Sequence, residues 1–115
     1  MRVKFSMKQV SAHITSNVEV MPGIHLMWIG APDIALAAHP GQFITVNCEG
    51  FTLRRPFSIH QAKRSHVPRQ IKGGADEDHP LSEIALLFKV VGEGTSWLSQ
   101  RKESDKIDVL GPLGK

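Results

Sequence analysis

Short runs of alternating apolar and polar residues recur along this chain, as in Val10-Ser11-Ala12-His13-Ile14, Ile24-His25-Leu26-Met27-Trp28-Ile29 and Phe43-Ile44-Thr45-Val46-Asn47-Cys48. A period of two turns one face of a strand to the core and the other to water, so these read as strands. Further strands are predicted over residues 57–61, 83–91 and 106–110, where Ile107 and Val109 share a face. Pro22-Gly23 and Pro40-Gly41 are turn signals. Helix is scarce: the pattern predicts a short turn over 33–38, and a helix over 95–101 with Thr95 or Ser96 as N-cap. The expected class is all-β, a six-stranded antiparallel Greek-key barrel with one short helix after the fifth strand, because closure hides the edges of short strands. A two-sheet sandwich is the alternative.

Composition narrows the setting. With 115 residues, 41% hydrophobic and 22% charged, the chain suits one compact domain spanning residues 1–115. No run approaches the roughly 18 apolar residues of a membrane span, and the first residues lack the apolar centre of a secretory signal, so a cytoplasmic location without membrane association is expected. Cys48 is the only cysteine, which excludes an internal disulfide and an iron–sulfur cluster held by this chain alone. The 14 Lys and Arg against 11 Asp and Glu favour anionic ligands. Nucleic acid is not expected, because the basic residues are scattered and, with no Tyr, five Phe and two Trp, stacking platforms are few. Residues 62–81 run basic and then acidic around Gly73-Gly74 with little to bury, and read as a flexible connection. Its His66 and His79 lack further ligands at metal-site spacing, so no metal site is expected.

Two segments carry candidate chemistry. In Arg54-Arg55-Pro56-Phe57-Ser58-Ile59, an extended strand directs Arg55 and Phe57 to one side and Pro56 and Ser58 to the other. A guanidinium fork suits a pyrophosphate, and an aromatic ring can cover a flat redox cofactor. Pro56 lacks an amide hydrogen, which suits an edge strand with backbone left for a ligand. A surface arginine beside a core phenylalanine explains the same residues. The second segment, Val90-Val91-Gly92-Glu93-Gly94-Thr95-Ser96-Trp97, follows an apolar strand and opens a helix, where backbone amides can meet phosphate. It carries neither the dinucleotide fingerprint nor a phosphate loop, and Glu93 opposes an anion, so an ordinary strand-to-helix turn is the competing explanation.

Four ordered blocks, Pro40-Gly41-Gln42-Phe43, Leu53-Arg54-Arg55-Pro56-Phe57-Ser58-Ile59, Val90-Val91-Gly92-Glu93-Gly94-Thr95-Ser96-Trp97-Leu98-Ser99 and Ile107-Asp108-Val109-Leu110-Gly111-Pro112-Leu113-Gly114, together span most of the chain. In these it resembles the FAD-binding domain of the ferredoxin reductase superfamily, and within it the electron-transfer subunits of bacterial dihydroorotate dehydrogenases. The resemblance implies FAD as cofactor, with Arg55 at the pyrophosphate, Pro56 among the cofactor-binding residues, Phe57 as the ring-contacting aromatic and Ser58 near the flavin's reactive edge. It implies that Lys89, Val90 and Val91 line the isoalloxazine and that Gly92, Gly94 and Thr95 meet the phosphates. Many relatives have Tyr at the position of Phe57, and its hydroxyl contact is lost here. The implied function is electron transfer in an oxidoreductase that couples dihydroorotate oxidation on a separate catalytic subunit to NAD, as part of pyrimidine biosynthesis. No residue is expected to act as a catalytic acid or base. A reductase subunit serving hydrogenase or glutamate synthase is a close variant. Relatives continue into nicotinamide-binding and iron–sulfur regions, which are expected on sequence beyond Lys115 or on a separate chain. The rival class is a small β-barrel module that binds anionic ligands or nucleic acid without a redox role.

Overall fold

A computed structural model describes residues 7–50, 53–64 and 82–114. Seven strands and two short helices follow one another along the chain. They are β1 (Lys8–Met21), β2 (Ile24–Gly30), α1 (Pro32–Ala37), β3 (Phe43–Asn47), β4 (Arg55–Ser58), β5 (Gln61–Lys63), β6 (Glu83–Lys89), α2 (Glu93–Ser99) and β7 (Lys106–Leu113). The strands form one antiparallel sheet in the order β4-β3-β7-β1-β2-β6-β5.

The all-β class holds, and three finer expectations are corrected. Seven strands replace six, because the run predicted as one strand over 57–61 is divided between the two ends of the sheet. Ile59 donates its amide to Gln42 O at 3.0 Å beside β3, whereas the next amide, of His60, goes to Ala85 O at 2.8 Å on β6. The second correction concerns closure. No ladder joins β4 to β5 among the described residues, so the expected barrel is not a continuous hydrogen-bonded cylinder. The chain itself joins the edges: Ser58 and Gln61 are three residues apart, at most about 11 Å, whereas six strand spacings in a flat sheet cover roughly 29 Å. The sheet therefore curls. β1 assists, since it pairs with β7 through residues 8–13 and with β2 through 13–21, with register shifts between Ile14 and Ser16 and between Glu19 and Met21. Such irregularities bend a strand and increase its twist.

The third correction concerns helix. The expected turn over 33–38 is α1, with Pro at its start and Ile34 and Ala35 buried. The predicted helix over 95–101 is α2, which starts at Glu93 and follows the sixth strand because β5 adds one to the count. Its N-cap is Gly92 rather than Thr95 or Ser96. Residues 62–64 of the expected flexible connection are ordered: Ala62 and Lys63 belong to β5, and Arg64 ties its end to α1 through Ala35 O at 2.9 Å and Ala38 O at 2.5 Å. The remainder, with His66 and His79, lies outside the described residues.

Alternation supplies the core. Ile14 and Met27, Ile29 and Ile84, and Leu86, Ile44, Val46 and Val109 all face inward and are sealed from solvent. Leu98 anchors α2 in the same cluster. Past it the helix ends where Arg101 lies over the Trp97 ring at 4.4 Å and donates to Trp97 O at 3.0 Å. No described helix is long and apolar enough to cross a membrane. Because Leu98 is fully buried, Leu98→Ala is expected to lower unfolding stability by about 2–5 kcal/mol in urea titrations, through lost burial and the cavity left behind.

Candidate functional site

The curl brings β4 against the β6–α2 turn. Phe57 of β4 meets Phe88 of β6 edge-on, with ring centroids 5.6 Å apart. At the rim of the same wall, Arg55 reaches the first turn of α2: the position a Cβ on Gly94 would take lies 2.7 Å from Arg55 Nε and 3.3 Å from its Cγ and Cδ. The two sequence segments thus meet, with Arg55 lying over the backbone of Gly94.

The neighbouring arginines do different work. Arg54 is a latch: its Nε donates to Thr45 Oγ1 at 2.8 Å, and its terminal nitrogen donates to Asp108 Oδ1 at 3.0 Å and to Asp108 O at 3.2 Å. It spans β3 to β7, whereas Arg55 lies at the turn. Pro56 and Ser58 are exposed on β4, opposite Thr45 and Phe43. Phe57 is only 9% exposed and its ring belongs to the core, so the expectation that it offers a broad face meets a largely buried side chain.

On the other side, Lys89 is exposed at the end of β6, opposite Ile24. Val90 donates to Gly23 O at 2.8 Å, across the turn where Gly23 has a φ of 78° that a side-chain-bearing residue rarely adopts. Val91 is exposed. Thr95 holds the turn together: its Oγ1 accepts from the amides of Val91 at 2.8 Å and Gly92 at 3.1 Å, and donates to Gly92 O at 3.1 Å. The hydroxyl is engaged by backbone, which makes Thr95 a brace of the turn. Gly92 is open, with nothing within 4 Å of where a Cβ would stand. Gly94 is buried.

Beneath Gly94 lies Cys48, which sequence reasoning weighed only as a disulfide or cluster ligand. Its Sγ donates to Gly94 O at 3.6 Å from a fully buried position. Burial raises its thiol pKa above the ordinary 9.0, and the Arg55 charge pulls it partly back. No spacing rule connects residue 48 to residue 94; the fold alone joins them. Two surface depressions lie elsewhere, one of about 510 Å³ lined in part by Asn17, His25 and Arg101, the other of about 210 Å³ beside His39, His60 and Arg64.

The dihydroorotate dehydrogenase B (NAD(+)) electron transfer subunit of Desulforamulus reducens is 41% identical over 112 residues, which cover 94% of this chain and 37% of that protein. The corresponding subunit of Caldanaerobacter subterraneus is 32% identical over 92% of this chain and 36% of its own length. The chain is a relative of one region of that subunit. It spans a little over a third of the length of the curated relatives it matches. Among solved structures, an NADH-dependent reduced ferredoxin-NADP oxidoreductase described for flavin-based electron bifurcation superposes with a TM-score of 0.71 at 28% identity, over 92% of this chain and 33% of its own. The Amycolatopsis cytochrome P450 reductase shares the fold, with a TM-score of 0.68 at 20% identity over 99% of this chain and 31% of its own. No family model matches. The resemblance read from the four sequence blocks therefore holds.

Two measurements check this geometry. Thr95→Val removes the acceptor of two amides, and is expected to lower stability by about 1 kcal/mol and to speed hydrogen exchange at Val91 and Gly92. The Cys48 thiol has a folded pKa above its unfolded one, so its contribution is complete below about pH 9 and is lost as pH rises through the folded value. Unfolding stability is expected to fall as pH rises above the ordinary thiol value of 9.0, and a Cys48→Ala control to lose that part of the slope.

Proposed function

We propose that this chain is the FAD-binding part of an electron-transfer oxidoreductase of the dihydroorotate dehydrogenase B type. The observation that carries this reading is the seating of the Arg55 guanidinium against the first turn of α2, beside the open backbone of Gly92. A cation next to an accessible glycine turn fits the diphosphate of a dinucleotide cofactor, because charged hydrogen bonds and close backbone approach act together. The similarity to electron transfer subunits and to a structure described for flavin-based electron bifurcation supports the same choice.

In this reading Arg55 holds the diphosphate by its charge, and the Gly92 and Gly94 backbone lies alongside, braced by Thr95. Exposed Pro56 and Ser58 on one side and Lys89, Val90 and Val91 on the other form the walls for the flat ring. Phe57 backs the wall from the core, with only its rim toward the ligand. The cofactor, when bound, would supply the redox chemistry by exchanging single electrons with an iron–sulfur centre and an electron pair with a nicotinamide. The protein orients it and shields one side from water. Electrons from dihydroorotate oxidised on a separate catalytic subunit would pass to NAD, through nicotinamide-binding and iron–sulfur regions outside this sequence. The expected domain assignment, residues 1–115 as one cofactor-binding unit, belongs to the same proposal.

Titration with FAD, followed by flavin absorbance and by thermal stabilisation, tests the reading. Arg55→Ala is expected to weaken FAD binding by about 1.5–3 kcal/mol, or roughly 10- to 150-fold, with the fold retained. Arg54→Ala, by contrast, is expected to lower unfolding stability while the folded protein keeps its affinity. A natural-sequence protein that takes up no FAD, but binds oligonucleotides in a salt-dependent way, would overturn the proposal.

A further inference from the structure

The two glycines of the turn are constrained in different ways. Gly92 is extended, with φ −166° and ψ −171°, a conformation open to any residue, and its side-chain position faces empty space. Gly94 lies within α2 and is not among the described glycines with positive φ, which are Gly23, Gly41, Gly50 and Gly114. Backbone freedom therefore does not explain Gly94. Space does: a Cβ there would stand 2.7 Å from Arg55 Nε, closer than real Cβ atoms come to a neighbour, with Cγ and Cδ also crowded at 3.3 Å. From below, the Cys48 thiol holds the Gly94 carbonyl at 3.6 Å, so the helix backbone cannot retreat without breaking that contact and disturbing a packed core.

We propose that Gly94 is a positioning residue, the seat into which the Arg55 side chain packs, and that Cys48, Gly94 and Arg55 form one mechanical unit that aims the guanidinium. The consequence for ligand binding rests on the flavin reading above; the seat itself does not. Any side chain at position 94 displaces Arg55, whereas one at position 92 leaves it in place and meets only the incoming ligand.

A double-substitution cycle tests this. In the natural background, Gly94→Ala is expected to lower the melting temperature, because methyl and guanidinium compete for one volume. In an Arg55→Ala background the competitor is gone, and the same change is expected to be neutral or to raise the melting temperature, since Ala is the better helix former. Gly92→Ala, an N-cap change that does not involve Arg55, is expected to shift it by the same amount in both backgrounds. If Gly94→Ala does not fold, folding of the double variant supports the seat and failure of the double variant overturns it. An equal loss from Gly94→Ala in both backgrounds, or none in either, also overturns it.

Cys48 gives a second readout that needs no flavin. The pH midpoint of its thiolate ultraviolet absorbance, which needs no reagent to reach the sealed side chain, is expected to move upward to a similar extent in Gly94→Ala and Arg55→Ala, because both take the positive charge away from the thiol. An unmoved midpoint in Gly94→Ala means that Arg55 has kept its place, and the proposal fails. With FAD as probe, Gly94→Ala is expected to lose as much affinity as Arg55→Ala, and the double variant no more than either. Should none of the proteins bind FAD, the flavin reading fails while the melting and thiolate-titration experiments still decide whether Gly94 seats Arg55.

Discussion

Two residues, Ile59 and His60, join strands that stand at opposite ends of the sheet, and the architecture depends on that short link. Successive amides donate to opposite ends, Ile59 to Gln42 and His60 to Ala85, so the sheet has to roll until its edges are neighbours. Without the roll, β4 and β6 would stand five strand spacings apart, roughly 24 Å. With it, Phe57 touches Phe88 and Arg55 lies over Gly94. The candidate site is thus a consequence of closure by chain connection.

Adjacent residues of similar chemistry are given separate tasks by this geometry. Arg54 is spent on β3 and β7, where carbonyl, hydroxyl and carboxylate acceptors surround its guanidinium, while Arg55 projects to the α2 turn. Gly92 and Gly94 divide in the same manner, one leaving backbone open to solvent and the other leaving room for a side chain. Thr95 completes the turn by satisfying two amides that the short helix cannot, so that the loop is held before any ligand arrives. A site arranged in advance loses less freedom on binding, which is the physical value of bracing it from within.

Much of the fold was legible because strand periodicity is local. Inward positions in β2 and β3, and most of those in β6 and β7, follow from alternation, with Ala85 and Pro112 buried out of step, and the turn at Gly23 follows from its dipeptide. Strand boundaries were less legible. The second half of β1 carries exposed Val18, Val20 and Met21 beside polar residues and an irregular register, which blurs a period of two. The break at 59–60 has no turn residue to announce it; only the hydrogen-bond partners of successive amides change.

Taken alone, the order of residues determined the all-β class, the inward faces, the glycine turn before α2 and the candidacy of Arg55, since each depends on neighbours within a few positions. Only the tertiary structure decided which arginine is latch and which reaches the turn, that Phe57 is sunk in the core, and that Cys48 lies beneath Gly94. Those outcomes depend on contacts between residues 39 to 54 positions apart, such as Arg55 with Gly94 and Arg54 with Asp108. No local pattern encodes such pairs, because they exist only once the sheet has rolled and its edges have met.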